Sequence, residues 1–250
     1  MLFNCSLLTT GLCNLTNTRQ ETTIDATASY RYSNWRISNC SPTQTQVVIS
    51  LLDQLEQNLP SVIQAVQKST ETVAYRTFFK HVREMPYVES VFTKLAAGEK
   101  VEAATETHIL RRAPPEFICT APTGFTASYH TYCDDGGLDA LTFGGLQYVI
   151  LCPAFWNKLY PTLSDTNLMP TCPYIGTDTT LPNNEDMLGS KLAIMLHELI
   201  HLYMTNQIVP EVYTMRACAG LSAAKAAHNA DNYTFFAMSK YHNLFGYSVA

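Results

Sequence analysis

His197-Glu198-Leu199-Ile200-His201 is the stretch on which the rest of the chain is organised. It reads H-E-x-x-H. On a helix, residues four apart share one face, about one turn apart. Two imidazoles so placed can hold one zinc ion, and Glu198 stands where it can reach a zinc-activated water. Five residues alone also fit an amphipathic helix with polar residues on its rim. The flanking sequence decides between these readings. Leu188, Leu192, Met195, Leu196, Leu199 and Tyr203 recur at helical spacing, and Asn184, Glu185 and Asp186 suit a helix's first turn. The spacing predicts a long, largely buried helix over 188–204. Two histidines and a glutamate buried there are costly unless something pairs with them, and a metal is the economical partner.

Composition narrows the function classes. Charged residues make up 15% of the 250, the net charge is -5, and no basic stripe interleaves with aromatics, so nucleic acid is not an expected partner. No apolar run reaches the roughly 18 residues of a membrane helix. Eight cysteines, Cys5, Cys13, Cys40, Cys119, Cys133, Cys152, Cys172 and Cys218, are scattered without a C-x-x-C pair. That suits disulfides and an extracellular protein better than a zinc ribbon. Sequons at Asn4, Asn14, Asn39 and Asn232 agree with secretion and a glycoprotein. A signal peptide is not evident; residues 1–13 lack a basic start.

Residues 1–36, rich in Thr, Asn and Ser, read as an N-terminal arm or propeptide remnant, with the folded domain over 37–250. Ser41-Pro42-Thr43-Gln44 is a capping-box helix start, and Val48, Leu51, Leu52, Leu55 and Leu59 form its apolar stripe. Pro60 is expected to kink or restart it before Val62, Ile63 and Val66. Further helices are expected over 71–84 and 87–98. After Pro114-Pro115, residues 117–120, 126–132 and 146–151 read as short strands of a small sheet. One of them is expected to pair with extended substrate. Residues 153–186 read as a loop on the cleft rim. A last helix, capped by Ser222, is expected over 221–245. His81, His108 and His242 read as surface or satisfied histidines. His130 reads as a packed strand residue, and His228 is placed only marginally near the metal side.

On the last helix lies His228-Asn229-Ala230-Asp231-Asn232-Tyr233-Thr234-Phe235-Phe236-Ala237. H-E-x-x-H followed by Asn-Ala-Asp-x-Tyr-x-x-Phe-Ala resembles the deuterolysin family of fungal metalloendopeptidases, the aspzincins. Asn229, Ala230, Asp231, Tyr233, Phe236 and Ala237 fit the second motif, with Leu221-Ser222 before it. The likeness covers roughly residues 37–245. It implies an α+β, mainly α, zincin-like metalloprotease fold with a small sheet above the metal helix. It also implies one zinc ion, secretion, a fungal source and a monomer hydrolysing a protein or peptide substrate. Disulfides Cys40–Cys119 and Cys133–Cys152 follow from the resemblance, while Cys172–Cys218 and Cys5–Cys13 are what remains.

The sequence departs from the family after the metal helix. Aspzincins carry G-T-x-D-x-x-Y-G there, whose Asp is the third zinc ligand and whose Tyr stabilises the oxyanion. Here Gln207-Ile208-Val209-Pro210-Glu211-Val212-Tyr213-Thr214 stands in its place. Tyr213 matches the Tyr, the Asp position falls on Pro210, and Glu211 follows one residue on. The expected site is therefore His197, His201 and Glu211 as metal ligands, Glu198 as general base and Tyr213 as oxyanion donor. Asp231 is expected behind the zinc histidines or lining the substrate pocket, and it is the other claimant for third ligand. Thr234 stands where some relatives place a second acid, so strict lysine specificity is not expected. The competing reading is a catalytically impaired relative that binds zinc or a partner.

Overall fold

The computed structural model describes residues 30–32, 34–68, 73–103, 111–119, 133, 137–143, 147–157, 191–204, 207–208 and 210–241. The expected strand over 126–132, His108, His130, His242, most of the expected rim loop and the Cys5–Cys13 pair lie outside them. The architecture is α+β and mainly α, with one small mixed sheet.

Strand β1 (Tyr30–Tyr32) turns back antiparallel onto β2 (Trp35–Ser38). This hairpin straddles the 36/37 boundary drawn from composition and belongs to the sheet. β2 runs parallel to β5 (Glu116–Ile118), and β5 runs parallel to β7 (Tyr148–Leu151). Antiparallel β6 (Ala140–Phe143) closes the order β1-β2-β5-β7-β6. A separate ribbon pairs β3 (Val101–Ala103) with β4 (Arg111–Ala113).

Helix α1 (Pro42–Gln67) starts where Ser41 and Gln44 form the full capping box. It runs unbroken through Pro60, because Leu55, Leu59, Val62 and Val66 on either side share one buried stripe. Packing along that stripe outweighs the one backbone bond that proline removes. The expected second helix is shorter, α2 (Val73–Phe78), followed by a 3-10 turn at Val82–Glu84 and α3 (Met85–Ala97). Gly98 ends α3 in the left-handed region (φ 54°), where an added Cβ would lie 2.6 Å from the Asn34 Cβ. That close approach lets Asn34 donate to the Ala97 carbonyl and ties the hairpin to the helix.

After β7 come a short α4 (Pro153–Asn157) and then α5 (Lys191–Tyr203), which carries H-E-x-x-H. A short α6 (Met215–Gly220) follows, and the last expected helix is divided into α7 (Ala223–Ala226) and α8 (Ala230–Tyr241). Ser222 stands at the N-cap of α7 but makes no side-chain capping bond. α5 packs against α8, α3 and α1, with β6 along its other side. Tyr75, Phe78, Phe79, Phe92, Tyr233, Phe235 and Phe236 interlock between α2, α3 and α8 with ring centroids 5.0–6.1 Å apart. Every described residue of α8 up to Ser239 is buried, so a rigid core backs the site.

Both disulfides implied by the resemblance are present, Cys40–Cys119 and Cys133–Cys152. The pairing of Cys172 with Cys218 is not. Cys218 is a free thiol at 0% exposure on the inner face of α6, with its Sγ 3.2 Å from the Val212 carbonyl. Burial, then the nearby Asp231 and Glu211 carboxylates, push that thiol's pKa well up, so it stays protonated and unreactive. The Asn232 sequon is likewise no sugar site: the residue is fully buried and its amide donates to the Phe78 and Cys218 carbonyls. Among the described residues, no helix is long and apolar enough to cross a membrane.

Candidate metal centre

The i, i+4 spacing on α5 puts His197 and His201 side by side, ring centroids 4.6 Å apart and Nε2 atoms 2.9 Å apart. Glu211, from the loop after α5, completes a triangle. Its Oε2 lies 3.4 Å from His201 Nε2 and 3.8 Å from His197 Nε2. A tetrahedral zinc with bonds of about 2.0–2.1 Å spaces its donors by about 3.3 Å. The three separations bracket that value. The donor set also fits: two imidazole nitrogens and one carboxylate oxygen are what a catalytic zinc takes, with a position left for water or substrate. His197, His201 and Glu211 are the metal-type cluster found among the described residues.

The loop is held in place by α8. Asn229, fully buried, caps the α8 end of the loop like a strand partner. Its Oδ1 accepts from the Val212 N–H and its Nδ2 donates to the Val212 carbonyl, both at 2.8 Å. Nδ2 also donates to Asn232 Oδ1, and Asn232 is anchored in turn to α2 and α6. Val212 lies between Glu211 and Tyr213, so this clamp fixes both. Glu211 Oε1 accepts from the Ala230 N–H at the first turn of α8, where the helix dipole also favours a carboxylate.

Asp231 sits behind His197. Its Oδ1 is 2.6 Å from His197 Nδ1, while Oδ2 is buried without a hydrogen-bond partner. The bond orients the ring and fixes Nδ1 as an N–H, so that Nε2 faces the cluster and can offer its lone pair to a metal once its proton is displaced. Asp231 is thus on the far edge of the imidazole from the other donors. Burial lowers the His197 pKa, but the hydrogen bond and charge of Asp231, with the charges of Glu198 and Glu211, outweigh it and raise it to about 9. Glu211 is raised by burial, yet hydrogen bonds from His201 and Tyr213 and the positive histidines bring it net downward, so it stays ionised. Tyr213 is 57% exposed, but its hydroxyl bonds Glu211. Burial of the hydroxyl, then the Glu211 charge, push it up to about 12, so it remains a donor.

Glu198 lines the same cleft and is 8% exposed. The cleft encloses about 580 Å³, bounded by α5, the Glu211–Tyr213 loop and residues 138–142 of β6 and its lead-in. Thr142 on β6 donates to Glu198. Neither β6 nor Thr142 was expected from sequence. The signal was present in Leu141-Thr142-Phe143, a short β-prone run bounded by Gly144-Gly145. Among the described residues the strand at the cleft is therefore β6; of the stretch 146–151, expected as a possible substrate strand, Tyr148–Leu151 form the interior β7. His228 is not part of the site: its ring packs on Tyr87, centroids 4.7 Å apart. Thr234 is fully buried and donates to the Ala230 carbonyl, so it does not face substrate.

No protein-family model matches the chain, and no curated protein matches it. Among solved structures, the chain is similar to a zinc peptidase from Grifola frondosa. The two are 18% identical over 80% of this chain and 97% of that one, with a TM-score of 0.49.

Proposed function

We propose that this chain is a secreted zinc endopeptidase, with residues 37–250 as its peptidase domain and the 30–38 hairpin extending that domain's sheet. The observation that carries the reading is the convergence of His197 Nε2, His201 Nε2 and Glu211 Oε2 beside the buried carboxylate of Glu198. His197, His201 and Glu211 would hold the ion. Bound there, zinc supplies Lewis-acid polarisation of a carbonyl and a lowered pKa for water. The chain's own groups do the rest. Glu198 takes the proton of the attacking water and returns it to the leaving amine. The Tyr213 hydroxyl donates to the oxygen on which negative charge develops, and swings from Glu211 to do so. Asp231 holds His197 in one tautomer.

β6 supports a peptide substrate. It is the last strand of the sheet's order, and among the described residues nothing pairs with its outer edge. An extended peptide added there would run past Glu198 and the cluster. The competing reading, a zinc-binding relative without turnover, has no use for Glu198 held in the cleft. Glu198→Gln tests the choice. The variant should keep zinc and fold and lose about 10²–10⁴-fold in turnover of an unstructured protein. Parental turnover in that variant would remove Glu198 from the role of base.

A further inference from the structure

Thr142 takes no part in holding a metal, yet it touches the proposed base twice. Its Oγ1 lies 2.6 Å from Glu198 Oε2 and 2.9 Å from the Glu198 carbonyl oxygen. The contact joins two elements 56 residues apart in sequence, so it is a tertiary contact and not a by-product of helix geometry. Thr142 is itself fixed by the ladder, opposite Val149 of β7. A hydroxyl carries one proton and two lone pairs. With Glu198 ionised, the nearer, charged oxygen takes that proton. The same hydroxyl lies against the Glu198 carbonyl oxygen, so one side chain of β6 touches both the backbone and the carboxylate of that glutamate. A glutamate has three rotatable bonds, and an unanchored one samples several rotamers.

We propose that Thr142 is the positioning residue of the general base: it occupies Glu198 Oε2 and so presents Oε1 as the oxygen that takes and returns the proton. This rests on the reading of Glu198 as base. It assigns β6 a task in catalysis besides any pairing with substrate.

The test compares Thr142→Val, Thr142→Ser and Glu198→Gln in the full chain loaded with zinc, using an internally quenched peptide. Melting temperature and zinc affinity are measured alongside. Thr142→Val keeps the shape and removes the hydroxyl. It should lower kcat by about 10- to 100-fold, the worth of a hydrogen bond to a charged group, with KM, zinc affinity and melting temperature near parental. Thr142→Ser should recover most of kcat. Parental kcat in Thr142→Val overturns the proposal, and if Glu198→Gln is dead the proposed function still stands. Equal losses in the Val and Ser variants with lowered melting temperature also overturn it, by making Thr142 a packing residue. Parental turnover in Glu198→Gln overturns the base assignment and this proposal together.

Discussion

Removing the Glu211 carboxylate should cost more zinc affinity than disarming Asp231. Glu211 Oε2 faces both Nε2 atoms at 3.4 and 3.8 Å, whereas Asp231 Oδ1 sits at 2.6 Å on the opposite ring nitrogen of His197. Zinc held by four ligands binds with about 10–16 kcal/mol, or roughly 3 kcal/mol for each ligand. Glu211→Ala should then weaken zinc by about 10²–10³-fold. Asp231→Asn keeps the size and an acceptor for His197 Nδ1–H, and should cost about 10–100-fold, the usual effect of a group that orients a ligand. The assay is competition against a chromogenic chelator, with metal content read by emission spectroscopy on the purified variants. If Glu211→Ala binds zinc as tightly as the parent while Asp231→Asn does not, the reasoning fails and Asp231 is the third ligand.

Three further outcomes follow from the same geometry. With the His197 pKa raised to about 9 from 6.5, the metal-free fold holds a proton that the unfolded chain gives up. That contribution is complete below pH 6.5 and is lost as pH rises through about 9, so metal-free melting temperature should fall across this window; a rising curve there would contradict it. Zinc displaces the same proton, so its affinity should climb up to about tenfold per pH unit over that range. Asn229→Ala leaves the Val212 N–H and carbonyl and Asn232 Oδ1 without their 2.8–2.9 Å partners. At about 1–3 kcal/mol for each buried group left unpaired, melting temperature and zinc affinity should both drop. Parental zinc affinity in the folded variant would show that the clamp does not place Glu211.

What could be read from the residues had a local cause. The H-E-x-x-H helix shows in the spacing of Leu192, Met195, Leu196 and Leu199, all buried as the period demands. Ser41 and Gln44 cap α1 through bonds spanning three residues. What could not be read depends on distant partners. β1 and β2 lie in or beside a Thr- and Asn-rich stretch with little periodicity, and only pairing with β5 makes them sheet. The Ala-rich stretch after Gly220 favours one helix by propensity, but it is divided before Ala230, where the Asn229 side chain serves the Val212 backbone. Pro60 reads as a break, and tertiary packing carries the helix through it. Thr142 shows no sign of its role until β6 is laid against α5. Glu211 was legible as a candidate because a longer side chain one residue on reaches His201.

The most direct measurement is digestion of an unstructured protein by the purified chain, with metal content determined on the same sample. One zinc per chain is expected, with hydrolysis abolished by a chelator and restored by adding zinc back. A well-folded chain that binds no zinc, or hydrolysis indifferent to the chelator, would contradict the assignment of a zinc peptidase centre at His197, His201 and Glu211.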